Sequence, residues 1–292
     1  MSSEDPSFHM EKRAVRRAFE QAAAVYETSA VLQDQVGAQL IERLELVKLE
    51  PQWILDVGSG TGLQSRRLNR RYPKARLLAL DLASNMLQQA RRRRGWRQRQ
   101  HFCQGDAESL PLATASIDLL YANMSIQWCN DLDQVLREFA RVLRPGGLLM
   151  FSTLGPDTLK ELRQAFAAVN DRPHVSHFID MHDIGDALVR QGYEMPVLDV
   201  EHYQLTYAVV DDLLRDLRNI GATNAAAGRA RGLLTPRRLQ VLRQAYEGFR
   251  RDARLPATYE VVYGHAWGSG PRALPREDGS VAVPLTRLHR HA

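Results

Sequence analysis

Asp56-Val57-Gly58-Ser59-Gly60-Thr61-Gly62 is the stretch of this chain whose residue types most directly constrain chemistry. Glycines at that spacing let a backbone turn sharply off a strand and expose amides that a Cβ would shield from a ligand. Gly-x-Gly-x-Gly alone is a weak signal, and two acids sharpen it. Asp56 lies inside the end of the apolar run Trp53 to Val57. Asp81 ends a second run about 20 residues past the loop, where a carboxylate can accept both hydroxyls of a ribose. The dinucleotide spacing Gly-x-Gly-x-x-Gly is absent because the third glycine comes one residue early, so no pyrophosphate seat is implied. A third acid, in Gln104-Gly105-Asp106-Ala107, closes the next run, within reach of an adenine amino group in the same crevice. An Asp at a strand end ordinarily caps a helix or shapes a turn. Acids at three successive strand ends argue for a shared ligand instead.

The elements that must position these residues follow from periodicity. Trp53 to Val57, Arg76 to Asp81, Gln100 to Gln104, Ile117 to Asn123 and Gly147 to Thr153 read as strands, with helical patterns after the loop through Leu63 and Leu68, over Ser84 to Arg94 and over Leu132 to Val142. This alternation predicts an α/β fold, a doubly wound parallel sheet with helices on both faces. Leu143-Arg144-Pro145-Gly146-Gly147 is a helix stop. Apolar residues at helical spacing from Lys12 to Val47 predict two helices ahead of the core. Beyond Gly155, helices are expected over Pro156 to Val169, Met181 to Arg190 and Asp211 to Asn219, and from the Thr235-Pro236 cap to about Arg251. Val197 to Tyr207 and Ala257 to Trp267 read as further strands, with the intervening helices forming a lid. The expected organisation is N-terminal helices over 1–47, a core over 48–155, the remaining strands plus lid over 156–268, and a loose tail over 269–292.

Composition narrows the class. The 292 residues, 44% hydrophobic and 25% charged, suit a globular protein with a proper core. No apolar run approaches the roughly 20 residues that a bilayer span needs, and MSSEDPSFHMEKRAV carries charge where a signal peptide is apolar, so a cytoplasmic protein is expected, without a membrane role. Cys103 and Cys129 have no neighbour at metal-ligand spacing, so neither a metal site nor a disulfide is expected. A net charge of +5 and a pI near 9.4 suit an acidic partner.

The loop and its three acids resemble the class I methyltransferase family over residues 51–153. The resemblance implies a seven-stranded Rossmann-like sheet that binds S-adenosyl-L-methionine. By it, Asp56 with Gly58, Gly60 and Gly62 holds the methionine part of the cofactor, and Asp81 with Leu82 holds the ribose. Asp106 and Ala107 contact the adenine, Met86 packs on it, and Asn123 lines the mouth. Further strings lie outside that half: Arg17 to Tyr26, Ser125 to Asp131, Phe151 to Leu159, His174 to Asp183 and Leu217 to Asn224. Together they resemble the malonyl-acyl-carrier-protein O-methyltransferase family, which opens the pimelate branch of biotin synthesis. This implies methylation of the free carboxylate of a malonyl thioester borne by an acidic acyl-carrier protein. Tyr26 and Trp128 then close over cofactor and acceptor, His177 and Phe178 join them from the segment after the sheet, and a cation, Arg218 or His177, grips the malonyl carboxylate. Aromatics at such positions also commonly fill core, and a histidine commonly serves a structural hydrogen bond.

The residues themselves show no insistent acid-base pair. This fits a carboxylate acceptor, which is ionised at neutral pH and needs alignment more than a base. Two other readings stay open: a methyltransferase for another small acid or a quinone precursor, and a catalytically silent methyltransferase-like binding module. Arg91-Arg92-Arg93-Arg94 invites a nucleic-acid reading. However, the C-terminal end of a crossover helix points away from the crevice, so these arginines, with Arg66, Arg67, Arg70 and Arg71, are expected to form a solvated face. No nucleic-acid partner is expected. The cations that meet the carrier are then Lys12, Arg13, Arg16 and Arg17, and Arg215, Arg229, Arg231, Arg237 and Arg238 in the lid.

Overall fold

A computed structural model describes residues 9–95, 99–170, 172, 174–223 and 235–269. Seven strands form one sheet in the order β3-β2-β1-β4-β5-β7-β6, with β1 at Trp53–Val57, β2 at Arg76–Asp81, β3 at Gln100–Gln104, β4 at Ile117–Asn123, β5 at Leu143–Leu154, β6 at Glu194–Tyr207 and β7 at Leu255–Trp267. β1 to β5 pair in parallel, while β7 runs antiparallel to both its neighbours. The order reverses between β1 and β4, which opens a crevice outside their carboxyl ends where ligands bind in such sheets.

The central strands read as continuous apolar runs because both of their faces are covered. Along β4, Leu119 and Tyr121 face one core while Leu120 and Ala122 face the other; β5 repeats this with Leu148 and Met150 against Leu149 and Phe151. On the second of these faces, α6 (Leu132–Val142) and α8 (Met181–Arg190) bury Leu136, Phe139, Ala187 and Leu188. Each of the two starts on an aspartate that accepts a backbone N–H, Asp131 from Gln134 and Asp180 from His182. On the first face lie α3 (Val31–Arg43), α4 (Leu63–Arg71), α7 (Lys160–Ala167), α9 (Val210–Asn219) and α10 (Pro236–Glu247). Thr235 caps α10 with Pro236 at its first position, as the sequence predicts.

The structure departs from the expected elements in three places. Between the two long N-terminal helices, α1 (Lys12–Ala22) and α3, the four-residue α2 (Tyr26–Ser29) makes a corner that the apolar spacing did not indicate. α7 begins only at Lys160. The preceding Gly155 to Leu159 is drawn out of the helix by β7, since Asp157 N–H donates to Glu260 Oε2 at 2.7 Å and Leu159 N–H to Thr258 O at 2.7 Å. The third departure corrects the arginine face in part, since Arg70, Arg91, Arg92 and Arg94 are exposed as expected. Arg66 Nη2 lies 3.1 Å and Arg93 Nη1 3.0 Å from Glu27 Oε1, Arg67 pairs with Asp34, and Arg71 donates to Leu44 O at 3.0 Å. These arginines fasten α2 and α3 to the core instead of facing solvent, and Arg66 and Arg67 sit in the first turns of α4, on the crevice side. The expected lid residues Asn224, Arg229 and Arg231 and the tail past Ser269 lie outside the described residues. Among those described, no helix is long and apolar enough to cross a membrane.

Candidate active site

The loop after β1 takes the conformation its glycines permit. Gly58 and Gly60 have φ of 69° and 54°, and a Cβ on Gly58 would stand 2.4 Å from that of Ser125. Any side chain there is strained and would close the floor of the crevice. Gly62, at φ 80°, starts α4 and lies against Ala90 of α5 (Ser84–Arg93), so it packs helix on helix and does not line the crevice.

Asp81 ends β2 under this loop, accepting Gly60 N–H at 2.8 Å through one oxygen and Ala83 N–H at 2.8 Å through the other. Burial pushes its carboxyl up to about 6, against those amide bonds. Asp56 is 1% exposed and accepts the Ser65 hydroxyl. Burial pushes it up to about 7, and the nearby Asp81 charge adds to this. A cationic ligand beside these two buried carboxyls would favour their ionised forms.

Two hollows meet at this loop. One, of about 660 Å³, is lined by Asp81, Leu82, Met86, Asp106, Ala107 and Lys12 among others. The other, of about 470 Å³, is lined by Asp56, Gly58, Gly60, Gln64, Gln33 and Glu27 among others. Asn123 and Tyr26 border both. The buried hydroxyls of Ser59 and Ser125 have no hydrogen-bond partner and face these hollows. Acids at three strand ends, exposed amides and unsatisfied hydroxyls fit an adenosine bearing an amino-acid tail: Asp81 for the ribose, Asp106 for the adenine, and Asp56 with the loop for the ammonium and carboxylate.

The N-terminal helices roof the crevice. Glu27 Oε1 accepts the Thr61 hydroxyl at 2.6 Å and meets Arg66 and Arg93; burial opposes its charge, but these partners pull its carboxyl below the ordinary range. Tyr26 is thereby fixed directly over the loop. Asn123 Nδ2 donates to Gln33 O at 3.0 Å while its oxygen accepts the Ser152 hydroxyl at 2.8 Å, so β4 and β5 hold α3 in place. Lys12, expected to meet a partner protein, turns inward: its Nζ lies 2.9 Å from Asp106 Oδ1 and 3.2 Å from Glu108 Oε1. Asp106 Oδ2 is left to accept from a ligand.

A third hollow, about 730 Å³, adjoins these. Tyr26, Trp128 and Phe178 line it, as expected, and Phe19 meets Trp128 edge-on at 5.2 Å. The structure adds polar residues that no sequence pattern indicated: Gln33, Gln127, Thr158, His174, Ser176 and Tyr259. His174 stacks on Phe166 at 4.0 Å and bonds Asn170, with burial holding its pKa below the ordinary histidine value. His177 and Arg218 are exposed and do not line this space; Arg218 Nε donates to Leu214 O on its own helix. Among the described residues, no lysine or arginine borders it. Tyr26 is common to all three hollows, at the point where they join.

Comparison with known proteins agrees with this arrangement. Residues 55–151 match the family model described as a methyltransferase domain. A solved structure of a methyltransferase from Bacillus halodurans is 20% identical, with a TM-score of 0.56 over 80% of this chain and 99% of that one, which shows a shared fold. Curated malonyl-acyl-carrier-protein O-methyltransferases are far nearer in sequence. That of Methylovorus sp. is 54% identical over 276 residues, covering 92% of this chain and 93% of the relative. That of Gallionella capsiferriformans is 50% identical over 282 residues, covering 94% and 97%. With relatives this similar matched over more than nine tenths of its length, the chain belongs to the malonyl-acyl-carrier-protein O-methyltransferase family.

Proposed function

We propose that this protein methylates the free carboxylate of a malonyl thioester carried on an acyl-carrier protein, with S-adenosyl-L-methionine as donor. The observation that carries the reading is the extent of the likeness: 54% identity over 92% of the chain reaches far past the methyltransferase domain at 55–151 and takes in the segments beyond β5 that line the acceptor hollow. When bound, S-adenosyl-L-methionine supplies an electrophilic methyl group on a sulfonium. Asp81 takes the ribose hydroxyls, Asp106 and Ala107 the adenine edge and Met86 its face. Asp56 with the glycine loop would take the methionine end, and Tyr26 stands where that space joins the acceptor hollow.

The acceptor carboxylate needs no general base, since its ordinary pKa lies near 4. The protein's task is to align it in line with the methyl and keep water out, an effect that can supply roughly 7 to 11 kcal/mol. Trp128, Phe19 and Phe178 provide dry walls. Gln33, Gln127 and Tyr259 provide donors that hold a carboxylate without an ion pair, leaving its charge available to attack. Methylation masks that charge, which places the reaction ahead of enzymes that elongate uncharged acyl chains, at the head of the pimelate branch of biotin synthesis. An acidic carrier accords with the basic pI near 9.4.

The test is methyl transfer from labelled cofactor to malonyl-carrier protein, free malonate and bulk RNA. Base-labile label on the malonyl carrier is expected. Label on RNA alone, or cofactor binding without transfer to any of the three, overturns the reading.

A further inference from the structure

A thioester tethered to a protein must reach the acceptor hollow from outside. A fourth hollow of about 620 Å³ lies between the start of α3, the end of β6 and α9. Gln33, Leu217, Ile220 and Tyr259 line both it and the acceptor hollow, so the two spaces adjoin. Its outer end reaches the surface at Val31, which is 60% exposed, and at the exposed Thr206. Apolar Leu32 and Leu205 alternate along it with polar Ser29, Thr206 and Tyr207.

That character suits a pantetheine arm, a slender chain with two amides between apolar stretches and a phosphate at its far end. The doubly charged phosphate finds no cation among the described residues that line the passage. A cation waits at the rim instead. Arg254 is exposed, its Nη2 donates to Thr206 O at 2.8 Å, and among the described residues it pairs with no carboxylate. The next rim arginine, Arg250, is taken up by Glu247 at 2.7 Å, as Arg215 is by Asp212 at 2.8 Å. We infer that this hollow admits the pantetheine arm of the acyl carrier, with the phosphate at Arg254 and the carrier seated over Val31 and Thr206. The inference rests on the malonyl-carrier reading above and adds to it the route of the substrate and the face of docking.

The test compares malonyl-carrier protein with malonyl-N-acetylcysteamine, a thioester too short to reach the rim. Val31→Trp is expected to lower kcat/KM on the carrier substrate at least about tenfold by crowding the passage, while changing the short thioester by less than about twofold. Arg254→Glu is expected to raise KM for the carrier about tenfold, with Arg254→Lys recovering most of the loss. Malonyl-phosphopantetheine should respond to Arg254→Glu and malonyl-pantetheine should not, which assigns the effect to the phosphate. Calorimetric binding of the cofactor, unchanged in each variant, verifies folding, and Arg254→Glu carries the test alone if Val31→Trp does not fold. Equal changes on long and short thioesters, or a ratio moved by neither variant, overturn the passage while leaving the malonyl reading intact. Failure of the unmodified protein to methylate any malonyl thioester overturns both.

Discussion

At the cofactor end of the crevice, recognition is built from backbone and from acids at strand ends: Gly60 N–H and Asp81 lock together, Asp106 closes β3, and Ser59 and Ser125 offer buried hydroxyls. At the acceptor end the walls come from α1, α2, α3, the turn after β4, the stretches Leu154 to Leu162 and His174 to Phe178, α9 and β7, and they meet in a space ringed by polar side chains and aromatics. One end is rigid because a sheet sets it. The other end depends on how separate helices come to rest on that sheet, and Tyr26 stands where the two meet. A sheet-borne site holds its ligand by charge and fixed geometry, whereas a helix-borne site selects by shape, so substitutions at the two ends should fail in different kinetic constants.

The strongest test of that contrast is Asp81→Ala. It removes the proposed acceptor of the ribose hydroxyls and the partner of the Gly60 and Ala83 amides, and cofactor affinity measured by calorimetry should fall about 100-fold or more. Retained affinity would break the comparison. Tyr26→Ala should instead lower kcat on malonyl-carrier protein by about 10 to 100-fold with a smaller change in cofactor affinity, because it loosens the junction between donor and acceptor. Steady-state kinetics with both substrates varied distinguishes the two outcomes.

Next in size is a pH effect confined to the cofactor end. Asp56 and Asp81 carry folded pKa values of about 7 and about 6, above the ordinary carboxyl value, because burial opposes their charge. The folded apo-protein therefore binds more protons than the unfolded chain between about pH 4 and 7, and this pair's contribution to stability falls as pH rises through that window. A cationic ligand reverses the balance by favouring the ionised carboxylates. Cofactor affinity should accordingly rise about tenfold from pH 5.5 to 8, with Asp56→Asn flattening the rise; a flat profile in the unmodified protein would remove charge from the account. Smaller still is Lys12→Met. Its partly exposed pairs with Asp106 and Glu108 contribute up to about 1 kcal/mol, so the KM for cofactor should rise a few-fold with kcat unchanged. Smallest are His177→Ala and Arg218→Ala, which should leave malonyl methylation within about twofold, since neither side chain lines the acceptor hollow.

The same contrast separates what is legible in the sequence from what is not. Asp56, the loop glycines, Asp81 and Asp106 are each local to one strand and its turn, so strand periodicity and residue type suffice to place them together. The acceptor residues share no period. His174 lies three positions from His177, in an irregular segment where no pattern marks which histidine faces inward; stacking on Phe166 decides it. Lys12 carries a charge that composition assigns to the surface, and only the fold-back of α1 brings it to Asp106. Arg66 and Arg93 mislead for the same reason. Their place on a helix suggests solvent, while their partner Glu27 comes from a segment that crosses back over the sheet.

Gly37 shows how narrow the tolerance of that fold-back is. A single added carbon there would stand 2.2 Å from the Gln64 side chain and 2.9 Å from Asn123, while the Gly37 carbonyl already accepts the Tyr121 hydroxyl at 3.0 Å. An alanine at this position would push aside the Gln64 amide and crowd the Asn123 amide that holds Gln33, two side chains that border the cofactor crevice. The lining of the crevice is thus kept in place by the absence of a methyl group on a residue that does not itself line it.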